Sequence, residues 1–448
     1  MTSAPPTNLP AGAPASSAPS SVPPLATPTP GPRTIRRQGS TRSGARLLLG
    51  DLLYGTPGRM RLLGALAVLA ALLLGATSVN GVLAAKAAVD RAASNTAQVV
   101  RVQSIHVDLL RADALATNAF LVGGLEPPDQ RAAYDAALDA VVTGIVEASA
   151  AQPADEAALA ALAEQVQVYS GLVQQARTNN RQGLPVGAQY LKEASAGLRA
   201  DAVPIVGSLV TANEGRAVAE FNRAGSITWL IGGLIAIIGL VLVAVWLARA
   251  THRYLNPSLS GAIALLLVAL FVALSTILSI GSTTSAVAGN EYRDAVALAD
   301  VGTAANDARA SESLTLIARG SGQASEKRWK EQAAFIDASL PDLPDIDAAD
   351  WAAYTAAHEK IRKADNSGDW DGAVKLSTAT TPGSAGAEFR AFDTSVTTAR
   401  DDASRQAVST LTGAGGNTPL FAILVAAITL VACWLSIRGF AQRIREYT

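Results

Sequence analysis

The sequence predicts an all-α membrane protein with four transmembrane helices. Between them it predicts two extracytoplasmic four-helix-bundle lobes, arranged as a tandem duplication. Three observations predict this. Four apolar runs, at 62–82, 227–247, 261–281 and 419–437, contain no Asp, Glu, Lys or Arg. Each is about 20 residues, the length that crosses a hydrocarbon core of about 30 Å. The two long segments between them, 83–226 and 282–418, are Ala-rich, carry apolar residues at helical spacing and show little strand signal.

The charges orient the spans. The joint 248–260 carries Arg249, His252 and Arg253 and no acid. A short basic loop between two spans belongs on the cytoplasmic side. With four spans, both termini then also lie inside. Segment 33–61 has a net charge of +6, the joint +2 and 438–448 +2, against −4 for 83–226 and −7 for 282–418. The predicted location is the plasma membrane, multi-pass, with cytoplasmic N- and C-termini.

Taken in order, residues 1–45 begin as an uncharged Pro-, Ala-, Ser- and Thr-rich stretch without hydrophobic period, a disordered cytoplasmic tail. Thr27 and Thr29 precede prolines, and Ser40, Thr41 and Ser43 lie among arginines, which suits kinase sites. A solvated tail with a positive anchor accounts for the same composition. Segment 46–61 is basic and juxtamembrane, with Leu47–Tyr54 read as an interfacial helix ended by Gly55-Thr56-Pro57-Gly58. The first span is too long and too far from the start for a cleaved signal peptide, so it is read as an anchor.

In segment 83–226 the residues Val102, Ile105, Leu109, Ala112, Ala116 and Ala119 form the seam of a bundle. Turns at 123–128, at Gln152-Pro153 and at 179–185 cut the segment into four helices. The outer two are long and run out of the spans, which predicts a bundle raised on a two-helix stalk. Pro204 falls inside the fourth helix and predicts a kink. Segment 282–418 repeats this plan, with turns at 320–322, 341–344 and 365–369. Arg111-Ala112-Asp113 corresponds to Arg309-Ala310-Ser311, Tyr169 to Tyr354, Gly187-Ala188 to Gly372-Ala373 and Leu191 to Leu376. Only 438–448 follows the last span, so the expectation is that this chain has no room there for a catalytic or coiled-coil domain.

Chemistry is sparse. The spans hold no ionisable acid or base, so an ion pathway is not indicated. Cys433, the single cysteine, lies in the last span, so the outer segments have no disulfides. His106, His252 and His358 lie in different segments without metal-ligand spacing. No phosphate-binding Gly-rich loop follows a strand. Basic residues are few and are outnumbered by acids in both outer segments, which argues against nucleic acid. The expectation is a protein that is not an enzyme and has no catalytic residues, cofactor or metal.

Two turns far from the membrane combine hydrogen-bonding groups with an aromatic residue: Asn179, Asn180, Arg181 and Gln182, then Asp365, Asn366, Asp369 and Trp370. Such a surface suits partner docking. Ordinary cap and turn chemistry explains the same residues. Small residues at i,i+4 spacing, Ala67/Ala71/Gly75, Gly232/Ala236, Ala269/Ala273 and Ala422/Ala426, allow close packing of the spans. Trp229, Trp246 and Trp434 sit near span ends as interfacial anchors to membrane lipid.

Leu53-Tyr54-Gly55-Thr56-Pro57-Gly58-Arg59 and the run Asn179 to Leu191, NNRQGLPVGAQYL, together with the doubled layout, resemble the actinobacterial GlnX-type membrane proteins. The similarity runs from about residue 45 to the end. The resemblance implies signalling. Such proteins link an extracytoplasmic solute-binding lipoprotein of the glutamine/aspartate type to a cytosolic Ser/Thr protein kinase. It supplies no contact residues, so the docking residues above rest on geometry alone. Two classes of function follow: a non-catalytic amino-acid sensor, or an envelope scaffold or transporter accessory subunit.

Overall fold

Helix α1, Thr56–Val122, sets the architecture. Its 67 residues contain no proline after Pro57 and no Gly-Gly pair before residue 123, so nothing breaks the backbone ladder. At 1.5 Å per residue it is about 100 Å long, a membrane span and the full height of the head in one rod. The structure is a computed structural model describing residues 56–251 and 256–445. The predicted Pro-rich tail, the interfacial segment 47–54, positions 252–255 of the basic joint and 446–448 lie outside the described residues.

After α1 come α2 (Pro128–Ala151), α3 (Glu156–Arg181), α4 (Val186–Gly197), a π-helical turn (Leu198–Ala202), α5 (Val203–Ala224) and α6 (Thr228–Thr251). The second half runs α7 (Pro257–Gly289), α8 (Glu291–Ile317), α9 (Gln323–Ser339), α10 (Ala348–Asn366), α11 (Trp370–Thr378), α12 (Ala385–Gly415) and α13 (Thr418–Arg445). All described elements are helical. The stretches Gly58–Val122, Val186–Arg249, Pro257–Ile317 and Ala385–Gln442 are long and apolar enough to cross a membrane.

The predicted turns fall where glycine and proline placed them. Gly123, Gly124, Gly183, Gly320 and Gly368 all take positive φ, a region other residues enter only with strain. The predicted helix seam is buried from Val102 to Ala119. Ala67, Ala71, Ala269 and Ala273 are fully buried between spans, and Gly75 lies against Thr429. Trp229, Trp246 and Trp434 are exposed on the outside of the span bundle, as anchors would be.

Three expectations need correction. Only α1 runs unbroken from span to head. The other three paths are interrupted at 225–227, at Asn290 and at 416–417, where Gly and Asn stand beside the apolar runs. The first break is tightly packed: a Cβ on Gly281 would sit 2.7 Å from the Cα of Gly225.

Second, the halves are not separate lobes on two-helix stalks. One apolar core runs from Val102 through Leu209 and on from Leu298 to Val396. Below it, Ala85, Ala92, Ala217, Phe221, Tyr292 and Ala407 join the spans in a second core. The cause is small side chains. Alanine faces let α1 and α8 approach, and a Cβ on Gly302 would meet both Val107 of α1 and Val396 of α12.

Third, the fourth helix of the second half is broken outright, whereas that of the first, where a kink is expected at Pro204, continues through a π turn. Pro204 lacks an N–H and its ring would clash with the carbonyl four residues back. The helix widens into the π turn 198–202 just before it. In the second half Thr381-Pro382-Gly383 opens a full break between α11 and α12.

Candidate functional site

Five of the eight predicted docking residues line two separate clefts, one per half, and Asn179, Gln182 and Asp369 line neither. Asn180 and Arg181 border a cleft of about 270 Å³ with Leu125, Glu126 and Arg177. Asp365, Asn366 and Trp370 border a larger one, about 970 Å³, with Arg319, Glu326 and Arg362. The structure does not bring the two sets into one site.

Much of their chemistry is local. Asn179 Nδ2 donates to the Gln175 carbonyl (2.8 Å), and Asn180 Nδ2 to that of Phe120 (3.0 Å), closing the end of α1. Asp365 accepts from Arg362 (2.6 Å), and Asn366 accepts from the same guanidinium (3.2 Å). Asp369 caps α11 by accepting from the Gly372 N–H (2.9 Å). Trp370 is half-buried, not an exposed aromatic. Its indole N–H donates to the Leu316 carbonyl (2.8 Å), and Arg319 stacks 4.0 Å above its ring. Arg181 and Gln182 stay exposed.

The strongest polar chemistry lies deeper and was not anticipated. Each half buries a carboxylate of its first helix that is held by a tyrosine of its third and a serine of its fourth. In the first half Asp113 accepts from Ser195 Oγ (2.6 Å), Tyr169 Oη (3.4 Å) and Arg199 (2.8 Å). In the second half Glu312 accepts from Ser377 Oγ (2.8 Å), Tyr354 Oη (3.2 Å) and Arg309, and it pairs with His358 Nδ1 at 2.8 Å. Burial would push the Glu312 carboxyl up, but Arg309, His358 and Ser377 outweigh it and hold it down at about 2. Burial would likewise lower His358. The hydrogen bond to Glu312 (2.8 Å) and the nearby Glu326 carboxylate (3.5 Å) outweigh burial and raise it, and the ring stacks on Trp329 at 3.6 Å.

Arg199, inside the π turn, joins the halves. It reaches Asp113 of α1 and also Asp307 of α8, at 2.8 Å each. Asp307 takes a second guanidinium, Arg328, at 2.5 Å. Neighbouring His106 is driven down to about 4, by burial against a smaller opposing pull from Asp307, so it is neutral at pH 7. π turns often mark functional positions, and this one places the single side chain that bridges both carboxylates. On the opposite flank Arg111 of α1 binds Asp393 of α12 (3.2 Å), which also accepts from Asn306 of α8 (2.9 Å). Among the described residues, no group of three or more His, Cys, Asp or Glu is placed to hold a metal ion.

These contacts tie α1 to α4, to the π turn and through it to α8, and to α12. The first half has a recognisable counterpart. Residues 88–222 match the family model of the actinobacterial sensor domain. The matched segment covers the head portions of α1 to α5, including Asp113, the π turn and Arg199. It supports an actinobacterial sensor protein with a sensing or signalling role. No curated protein and no solved structure matches the chain.

Sequence signals for the buried network were faint. Asp113 and Glu312 fall on the core side of their helices, where an unpaired carboxylate would be costly. Arg309 apart, their partners stand 42 to 86 positions away in sequence.

Proposed function

We propose that the chain is a non-catalytic transmembrane signalling protein. It senses extracytoplasmic amino-acid availability through a glutamine/aspartate-binding lipoprotein and relays it to a cytosolic Ser/Thr protein kinase. One observation carries the reading: the sensor-domain segment is built on α1, and α1 continues without a break into an apolar span. A rigid rod transmits a shift where a hinged path absorbs it. The ligand or partner must prefer one of two arrangements of the helices, since equal affinity for both shifts nothing. The head faces the outside in this reading, which the basic joint and the acidic head segments support. The two clefts at the turns farthest from the spans serve as the lipoprotein surface. The shared carboxylate–tyrosine–serine unit supports reading the halves as a tandem duplication.

The test is made in intact cells. Thiol reagents added outside should label cysteines introduced at Gln182 and Ser367, in a Cys433→Ser background, and protection of both would invert the topology. External glutamine or aspartate should change phosphorylation of a kinase substrate, and deletion of the protein should abolish that response. A normal response with disturbed assembly of other membrane proteins would favour an envelope scaffold or transporter accessory subunit. Charge reversal at Arg181 and Asp369 should reduce capture of the lipoprotein by the protein.

A further inference from the structure

We infer that the cleft between the two halves, on the Arg111–Asp393 flank, binds a small zwitterion of the free amino-acid class directly. The inference rests on the sensing reading and names a ligand for the chain itself. The cleft has a volume of about 400 Å³, within the range of small-molecule sites. The first half supplies Arg111 and Asn118 from α1 and Asp129 and Gln130 from α2. The second supplies Asn306 from α8 and Phe389 and Arg390 from α12.

Four buried atoms of these residues have no hydrogen-bond partner among the described residues: Arg111 Nε, Asn118 Nδ2, Gln130 Oε1 and Asn306 Oδ1. Each such group left unmade costs about 1–3 kcal/mol. Two donors and two acceptors gathered around one cleft describe a site that the protein alone does not complete. Asn306 is held firmly, since its own Nδ2 donates to the Gly302 carbonyl and to Asp393, both at 2.9 Å. Its oxygen is thereby fixed as the free acceptor.

The rim fixes the class of ligand. Asp129 and Arg390 are both exposed, and neither forms an ion pair with a described residue. Deeper charges are already neutralised: Arg111 by Asp108 and Asp393, and Arg309 by Glu312. What remains unpaired is one acid and one base, with donors and acceptors in equal number. A simple anion or cation would satisfy only half of that set. A ligand carrying a carboxylate and an ammonium satisfies both, its carboxylate taking Arg390 and the Asn118 amide, its ammonium taking Asp129 and the Gln130 and Asn306 oxygens. Phe389, with Leu115, offers an apolar wall to the side chain. Because each end is held by residues of both halves, occupancy favours one arrangement of α1 against α12.

The experiment is calorimetric titration of the purified full chain in nanodiscs. The probes are the proteinogenic L-amino acids, one at a time at millimolar concentration. Desamino and decarboxylated analogues of any that bind follow. At least one amino acid should bind, and both analogues should bind at least about tenfold more weakly. Arg390→Ala, Asp129→Ala and Asn118→Ala should each weaken it about ten- to a hundredfold, the loss of one charge-assisted bond. Circular dichroism and unliganded melting temperature should match the wild type for the two rim variants. Absence of binding by every amino acid, as for a cleft filled by water only, overturns the inference. So does binding that all three variants leave unchanged. Either result leaves the lipoprotein response in cells intact if the sensing reading holds, so the two fail separately.

Discussion

Replacing Arg199 by Met tests whether the halves are locked by their charges. The side chain is 13% exposed and sits between Asp113 and Asp307, which are 0% and 2% exposed. Removing one member of a buried ion pair costs about 3–5 kcal/mol, because the remaining charge stays desolvated. Both carboxylates keep some support here. Asp113 retains Ser195 and Tyr169, and Asp307 retains Arg328. The loss therefore belongs near the lower bound, about 3 kcal/mol, or a melting temperature lower by roughly 6 °C. Arg199→Met with Asp113→Asn should recover part of it, since the orphaned charge is then gone. Arg199→Lys should fall between wild type and Met, because an ammonium cannot form the two-armed fork. The assay is thermal unfolding of the full chain in nanodiscs, followed by circular dichroism. A melting temperature for Arg199→Met equal to wild type would show that the apolar core alone holds the halves, and the reasoning would be wrong.

Further outcomes follow from the same contacts. The lowered Glu312 pKa stabilises the fold above the ordinary carboxylate value of 4.5, and that contribution is lost as pH falls towards 2. The raised His358 pKa stabilises it below 6.5, and that contribution is lost as pH rises through the raised value. Melting temperature should therefore drop on both sides of neutrality, and Glu312→Gln should flatten both limbs; an unchanged alkaline slope in that variant would refute the pairing. Gly281→Leu should destabilise the spans by about 1–3 kcal/mol through overpacking on Gly225, whereas Gly239→Ala, with open space around it, should not; melting in nanodiscs reads both. Trp370→Phe should loosen the α10–α11 turn by about 1 kcal/mol, the worth of the bond to the Leu316 carbonyl, seen as faster amide exchange there.

The spans, the turns and the helix seam were legible because their causes are local. A charge-free run has a length, a glycine at positive φ has a position, and an apolar stripe has a period. The turns at 123–128, 152–153 and 179–185 bracket α2 and α3, which run 24 and 26 residues in the structure. The breaks at 225–227, 290 and 416–417 carry glycine or asparagine, but they fall at or outside the span ends, where apolar and helical patterns continue on both sides and predict one unbroken helix. What could not be read was which alanine face meets which. Helix α8 shows why. Its sequence holds Asn306, Asp307, Arg309, Ser311, Glu312 and Ser313, all the marks of a solvated surface, yet every one is buried. Asn306 and the charged groups are tolerable inside only because partners from the π turn, α9, α10, α11 and α12 arrive there, and helix-face spacing does not report partners so distant. Asp369 and Trp370 carry the cap and turn chemistry that sequence offered beside docking: Asp369 caps α11 and Trp370 closes the end of α8. Flat alanine surfaces can pack in several registers at similar energy, whereas Arg199 reaches two carboxylates in only one of them. The buried charges thus fix the register of the two halves, a role for which polar cores are best attested, and any ligand that moves the halves must work against that pairing.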